Sequence, residues 1–195
     1  MKTFTTFIAE STDKHVVFAF GRMNPPTTGH EKLVEKVKSE AKKQHADHEI
    51  VVSHTQDAKK NPLTAAQKLK HAKRFFPGAN IHASSKEHPS FIHHAKRLNA
   101  AGYTHLTMVA GSDRVEEMHK LLHKYNGKEF NFKHIKVVSA GHRDPDAEGT
   151  AGMSASKMRD HAKSGDFKSF RKGVPGHVSD QHAKELYDDV RKGSE

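Results

Sequence analysis

HVVFAFGRMNPPTTGH, residues 15–30, decides the fold. Its first six residues, His15–Phe20, form a nearly unbroken apolar run of strand length. A strand buried on both faces of a parallel sheet reads this way. Gly21–Thr28 ends the run with two prolines and polar residues. Gly29 then opens a stretch to Gln44 in which Leu33, Val34 and Val37 share one face, the spacing of a helix. A strand, a turn and a helix begin a βαβ unit.

The alternation continues outward. Strands are expected at Glu49–His54, Asn80–Ala83, Thr104–Ala110 and His134–Ala140. Helices are expected at Thr64–Phe75, with Thr64 as cap, at Pro89–Ala101, with Pro at its first position, and at Asp113–Lys124. A polar loop, Gly141–Gly152, precedes three helical stretches from about Ala155 onward. In the last of them Ala183, Leu186, Tyr187 and Val190 make one apolar stripe. The expected fold is α/β: a Rossmann-like, parallel, five-stranded sheet with helices on both faces and a C-terminal helical segment. No repeat or linker divides residues 11–195, which read as one domain. In such sheets ligands bind beyond the C-terminal strand ends. The polar segments after strands one, two, four and five, three of them Gly-bearing, all reach that edge.

Composition narrows the chemistry. The 195 residues contain no Cys, which excludes disulfides, Cys-ligated zinc, iron–sulfur clusters and thiol nucleophiles. No apolar run approaches the ~18 residues of a membrane span, and no membrane partner is expected. Mean hydropathy is -0.82 and the formal charge is +10. That charge reads either as attraction to a polyanion, nucleotide phosphate or nonspecific DNA, or as a solvated lysine surface. The stretches Lys36–Lys43 and Lys68–Arg74 read as solvated helix faces. His119/His123 and His45/His48 have metal-binding spacing, but no third ligand accompanies either pair, so they read as surface histidines.

Two segments carry candidate chemistry. In residues 21–30, GRMNPPTTGH, neither common phosphate-loop pattern occurs. Gly29 nonetheless allows close backbone approach, and a helix N-terminus beside His30 suits phosphate. The alternative is a plain turn with an incidental histidine, in a chain that has 18. In residues 153–159, MSASKMR, Ser154 and Ser156 can cap a helix or meet phosphate oxygens, with Lys157 and Arg159 adding charge. The alternative is a capped surface helix.

Together these segments resemble the nucleotidyltransferase superfamily of the HxGH type. That group includes nicotinamide-mononucleotide and pantetheine-phosphate adenylyltransferases and cytidylyltransferases. Gly29 and His30 match its first motif, with Thr27 where many members have His. Met153–Arg159 resembles its I-S-[SGA]-[ST]-x-x-R, with Met for Ile and Ser for Thr. Gly111-Ser112-Asp113 is similar to its G-x-D, and Gly21–Pro25 to G-R-x-x-P. Asn61–Lys68 resembles N-P-F-T-x-x-E-R of the archaeal-type nicotinamide-mononucleotide enzymes, with Gln67 for Glu and Lys68 for Arg, which leaves the acceptor open.

The resemblance implies transfer of a nucleoside monophosphate, AMP from ATP in the first place and CMP as the alternative, to a small phosphorylated acceptor. Pyrophosphate would leave, and Mg²⁺ would be held by the phosphates. It implies catalytic roles for His30, Thr27 and Arg159. Nucleotide binding falls to Phe20, Gly21, Arg22, Met23, Gly29, His30, Gly111, Asp113, Ser154, Ser156 and Arg159. Acceptor binding falls to Asn61, Thr64 and Lys68. The rival reading keeps the fold but not the activity, as an internal virion or DNA-associated protein.

The start of the chain carries a second resemblance. MKTFTTFIAE, residues 1–10, is similar to the capsid-targeting propeptides of internal proteins of T-even-like bacteriophages. Phe4, Phe7 and Ile8 form one apolar face that could dock on a head scaffold. The resemblance implies cleavage between Glu10 and Ser11 by a head-maturation protease. It also implies synthesis in a host cytoplasm and a final place in the capsid interior.

Overall fold

A computed structural model describes residues 13–141 and 153–195. The leader with its Glu10–Ser11 junction, and most of the expected polar loop, lie outside the described residues. Five strands form the sheet: β1 (His15–Gly21), β2 (Asp47–Val52), β3 (Ile81–Ala83), β4 (His105–Ala110) and β5 (His134–Ser139). All neighbours are parallel, in the order β3-β2-β1-β4-β5.

Seven α-helices are described: α1 (Glu31–Gln44), α2 (Ala65–Phe75), α3 (Phe91–Ala100), α4 (Val115–Tyr125), α5 (Ala155–Lys163), α6 (Phe167–Arg171) and α7 (Asp180–Gly193). Short 3₁₀ turns, Thr28–His30 and Ser112–Arg114, lead into α1 and α4. Thr64 caps α2 as expected: its hydroxyl accepts from the Gln67 N–H, and the Gln67 side chain accepts from the Thr64 N–H. Several boundaries shift by one or two residues from expectation, and two have a plain local reason. β2 begins at Asp47, because backbone pairing with β1 does not depend on side-chain polarity. α3 begins at Phe91 with Ser90 at its cap, so Pro89 precedes the helix instead of taking its first position.

Alternation along β1 builds two cores. Val17 and Ala19 face one side, with α1, α2 and the three C-terminal helices. Val16 and Phe18 face the other, with α3 and α4. Strand order runs outward from β1 in both directions, so crossovers of one hand put α1 and α2 on one face and α3 and α4 on the other. The reversal between β1 and β4 leaves a crevice beyond their C-terminal ends, where ligands bind in open α/β sheets.

Candidate functional site

The crevice is real. A cavity of about 490 Å³ opens beyond β1 and β4. It is lined by Phe20, Gly21, Arg22, Met23 and Asn24 from the end of β1, by His30 and Leu33, and by Lys60 and Asn61. Gly111, Ser112, Asp113 and Arg114 follow β4, and Ser154, Ser156 and Arg159 come from the start of α5.

The turn after β1 fixes His30. The Thr27 N–H donates to His30 Nδ1 at 3.1 Å, and Thr27 Oγ1 also lies 3.1 Å from that nitrogen. The same hydroxyl accepts from the Gly29 N–H at 3.1 Å. A ring whose Nδ1 accepts from a backbone N–H carries its proton on Nε2. His30 is therefore held as an Nε2–H donor at the cavity wall, 8 % exposed. Gly29 is required by close packing: a Cβ there would sit 2.9 Å from the Met153 carbonyl oxygen and 3.3 Å from Thr27 Oγ1. That contact brings the two sequence segments together.

Arg159 crosses the same junction. Its Nη1 donates to the Asn24 carbonyl at 2.8 Å, and its Nη2 to Ser156 Oγ at 3.0 Å. Burial lowers the guanidinium's pKa, yet an arginine stays charged throughout the useful pH range. Ser154 caps α5, accepting from the Lys157 N–H at 3.2 Å. The Asn24 side chain bonds both backbone groups of Leu63: Oδ1 accepts its N–H at 3.0 Å, and Nδ2 donates to its carbonyl at 3.1 Å. Asn24 thus ties the first turn to the segment that carries Lys60 and Asn61. Asp57 shapes that segment from within, accepting from the Lys60 N–H at 2.7 Å and from Asn61 Nδ2 at 2.5 Å.

Most residues singled out from sequence meet at this cavity. Four stand behind it. Thr27 is 1 % exposed and acts on the His30 ring. Gly29 packs under Met153, and Thr64 caps α2. Lys68, expected at the acceptor, is fully buried instead of opening on the cavity. Its ammonium donates to Ser53 Oγ at 3.2 Å and to the Thr55 carbonyl at 3.0 Å, and burial lowers its pKa to about 8. Sequence reasoning missed Asn24, Lys60 and Arg114. Lys60 directly precedes the Asn61–Lys68 segment, a signal that was present; Asn24 offered none, because its partner is 39 residues away.

Residues 18–161 match the cytidylyltransferase-like family, well over half of the chain. The chain belongs to the cytidylyltransferase-like family. A search of curated proteins finds no match. Among solved structures, TmcAL from Thermotoga maritima, bound with alpha-thio ATP, aligns with 92 % of this chain at 12 % identity and a TM-score of 0.58. The chain spans 57 % of that protein's length. A macrolide-efflux protein from Streptococcus pneumoniae aligns with 85 % of the chain and 56 % of its own length, at 17 % identity and a TM-score of 0.47. The first of these likenesses is one of fold, and it agrees with the parallel α/β sheet described above. Among the described residues no helix is long and apolar enough to cross a membrane.

Proposed function

We propose that this chain is a nucleotidyltransferase that moves a nucleoside monophosphate from a nucleoside triphosphate to a small phosphorylated acceptor. The observation that carries the reading is His30, locked by Thr27 with its Nε2–H at a cavity that Arg22 and Arg159 also line. An oxygen of the acceptor phosphate attacks the α-phosphorus, and the bond from that phosphorus to the bridging oxygen breaks. The electron pair leaves with pyrophosphate. No enzyme nucleophile is needed, which suits a chain without Cys. The protein's task is to position both phosphates and to stabilise the charge that develops on them.

His30 Nε2–H donates to the reacting phosphate. Arg22, Ser154, Ser156 and Arg159 hold the β- and γ-phosphates, Arg159 kept in place by Asn24 and Ser156. Phe20, Gly21, Met23, Gly111 and Asp113 line the nucleoside side. Lys60 and Asn61, held by Asp57, face the acceptor. Among the described residues no group of three or more His, Asp or Glu is placed to hold a metal. Magnesium, as the family resemblance implies, would be held on the triphosphate's own oxygens and would offset its charge there. The ATP analogue in the Thermotoga structure favours an adenosine nucleotide as donor.

The test is pyrophosphate release across a panel of triphosphates and phosphorylated acceptors, beginning with ATP and nicotinamide mononucleotide. Release that requires both partners and His30 supports the reading. Silence across the panel, with triphosphate still bound, favours a retired site in a virion protein. That second proposal rests on the leader, residues 1–10. It requires the protein recovered from phage particles to begin at Ser11; a protein beginning at Met1 there overturns it.

A further inference from the structure

Lys68 is a charged group that the mechanism above does not use. It is fully buried, on α2, and its ammonium meets only neutral oxygens, Ser53 Oγ and the Thr55 carbonyl. Among the described residues no carboxylate pairs with it. Burying an ammonium without a counter-charge is costly. A packed interior tolerates it where something else repays the cost.

The surroundings say where repayment comes from. Ser53, which accepts from Lys68, donates its own N–H to the Gly21 carbonyl at 2.8 Å, and Gly21 lines the cavity. The charged group that bears on Lys68 is Arg22, on the same cavity wall, and the two repel. On the segment after β2, His54 lies between the two residues that bond Lys68, and Asp57 has its carboxylate bonded to Asn61 and the Lys60 N–H. One turn along α2, His71 is bound to Asp189 of α7 at 2.8 Å. None of these neutralises the ammonium.

We propose that Lys68 is a positioning residue for the phosphate chain: a buried cation, one residue behind the cavity wall, whose counter-charge is the bound substrate's phosphate. This rests on the nucleotidyl-transfer reading and deepens it. Arg22 meets the phosphates directly. Lys68 never touches them; it adds positive potential from a region of low dielectric, where charge is poorly screened. It also holds the segment that leads to Lys60. A phosphate at the wall relieves the repulsion between Arg22 and Lys68, and Lys68 then keeps its proton to higher pH.

The experiment measures binding of inorganic triphosphate by calorimetry, without acceptor or turnover, at pH 7 and at pH 9.5. Wild type, Lys68→Met and Lys68→Arg are compared, each shown to be folded by circular dichroism. At pH 7, Lys68→Met is expected to bind about tenfold more weakly than wild type, from a unit charge acting through an effective dielectric of about 20. The gap closes at pH 9.5, where unliganded wild type has lost the Lys68 proton. Lys68→Arg stays charged at both pH values. It keeps its tight binding at pH 9.5, and this comparison decides the matter if Lys68→Met does not fold. Lys68→Met within twofold of wild type at pH 7 overturns the proposal and leaves nucleotidyl transfer standing. So does a Lys68→Arg affinity that falls between the two pH values as steeply as wild type's. Wild type that binds no triphosphate at all overturns both.

Discussion

The two ends of the sheet treat charge in opposite ways. At the C-terminal end Arg22, Lys60 and Arg159 line one cavity with Lys68 buried behind it, and among the described residues none has a carboxylate partner within salt-bridge distance. Toward the other end charges are matched. Lys133 meets Asp13 at 2.6 Å, Arg97 meets Glu49, and the Tyr103 hydroxyl donates to Asp47 at 2.6 Å. Lys14 lies 4.2 Å over the Tyr103 ring. There, too, His15, His105 and His134 stack in register across three strands, centroids 4.1 and 4.8 Å apart. The same strands feed both ends, so the difference is not one of fold. It marks the end at which an anion is expected: matched charges serve stability, and unmatched cations serve a ligand.

The largest effect should therefore come from the site end and fall on turnover far more than on stability. His30→Ala is expected to lower turnover by roughly 10²–10³-fold, the usual loss for one donor to a transition state. Its melting temperature should fall by only a few degrees, because the buried Thr27 N–H loses its acceptor. Steady-state pyrophosphate release, with a thermal melt beside it, makes the check. A loss under threefold in a folded variant would place the chemistry elsewhere.

Next in size is a pH effect from the flank of the sheet. His94, 5 % exposed, sits by Phe18 and Phe20. Its Nδ1 accepts from Arg97 Nε at 3.4 Å, and Nε2 donates to the His88 carbonyl at 3.1 Å. Both bonds suit the neutral ring, and burial, with the Arg97 charge second, lowers its pKa from 6.5 to about 4. The unfolded chain binds this proton more readily than the folded one. The stabilisation is thus complete above pH 6.5 and is lost as pH falls toward 4. It amounts to about 2–3 kcal/mol. Urea melts at several pH values across that window should show this loss in wild type and a smaller one in His94→Gln.

Arg97→Ala tests the matched end itself. Glu49, 9 % exposed, would lose its cation and remain in place. A cost of about 2 kcal/mol is expected in denaturant melts, tempered by the partial exposure of the pair. Turnover should change less than twofold. If Arg97→Ala lowers turnover as His30→Ala does, the division of labour between the ends fails.

How much of this could be read in advance follows from the range of each interaction. β1 was legible because a strand buried on both faces must be apolar throughout, and Val16–Ala19 are 0–1 % exposed. α2 was legible down to its cap, because Thr64 and Gln67 lie three residues apart. The meeting of the first turn with α5 came from two motifs and needed no geometry. What stayed hidden lies across the chain. Asn24 bonds Leu63, 39 residues on, and receives Arg159 from 135 residues away. Lys68 has the composition of a surface lysine, and only the fold buries it.

The smallest effect belongs to Thr27, where stability and chemistry share an atom. Thr27 Oγ1 caps the turn by accepting the Gly29 N–H, and it also flanks His30 Nδ1. Thr27→Val keeps the shape and removes the hydroxyl. The lost cap should cost about 1 kcal/mol in a melt. The backbone N–H of Thr27 still reaches Nδ1, so the ring keeps one of its two anchors. Turnover should fall by about tenfold, less than for His30→Ala, because the donor survives but is less well held. The loss should appear in kcat, with KM for the triphosphate little changed, since on the proposed reading Arg22 and Arg159 hold the phosphates. Thr27→Ser, which restores the oxygen, should recover both stability and rate. Two outcomes would redraw the assignment. A fall as deep as that of His30→Ala would mean that the hydroxyl itself meets the reacting phosphate. A stability loss with unchanged turnover would mean that the backbone alone sets the ring, and that the hydroxyl belongs with the matched groups at the other end.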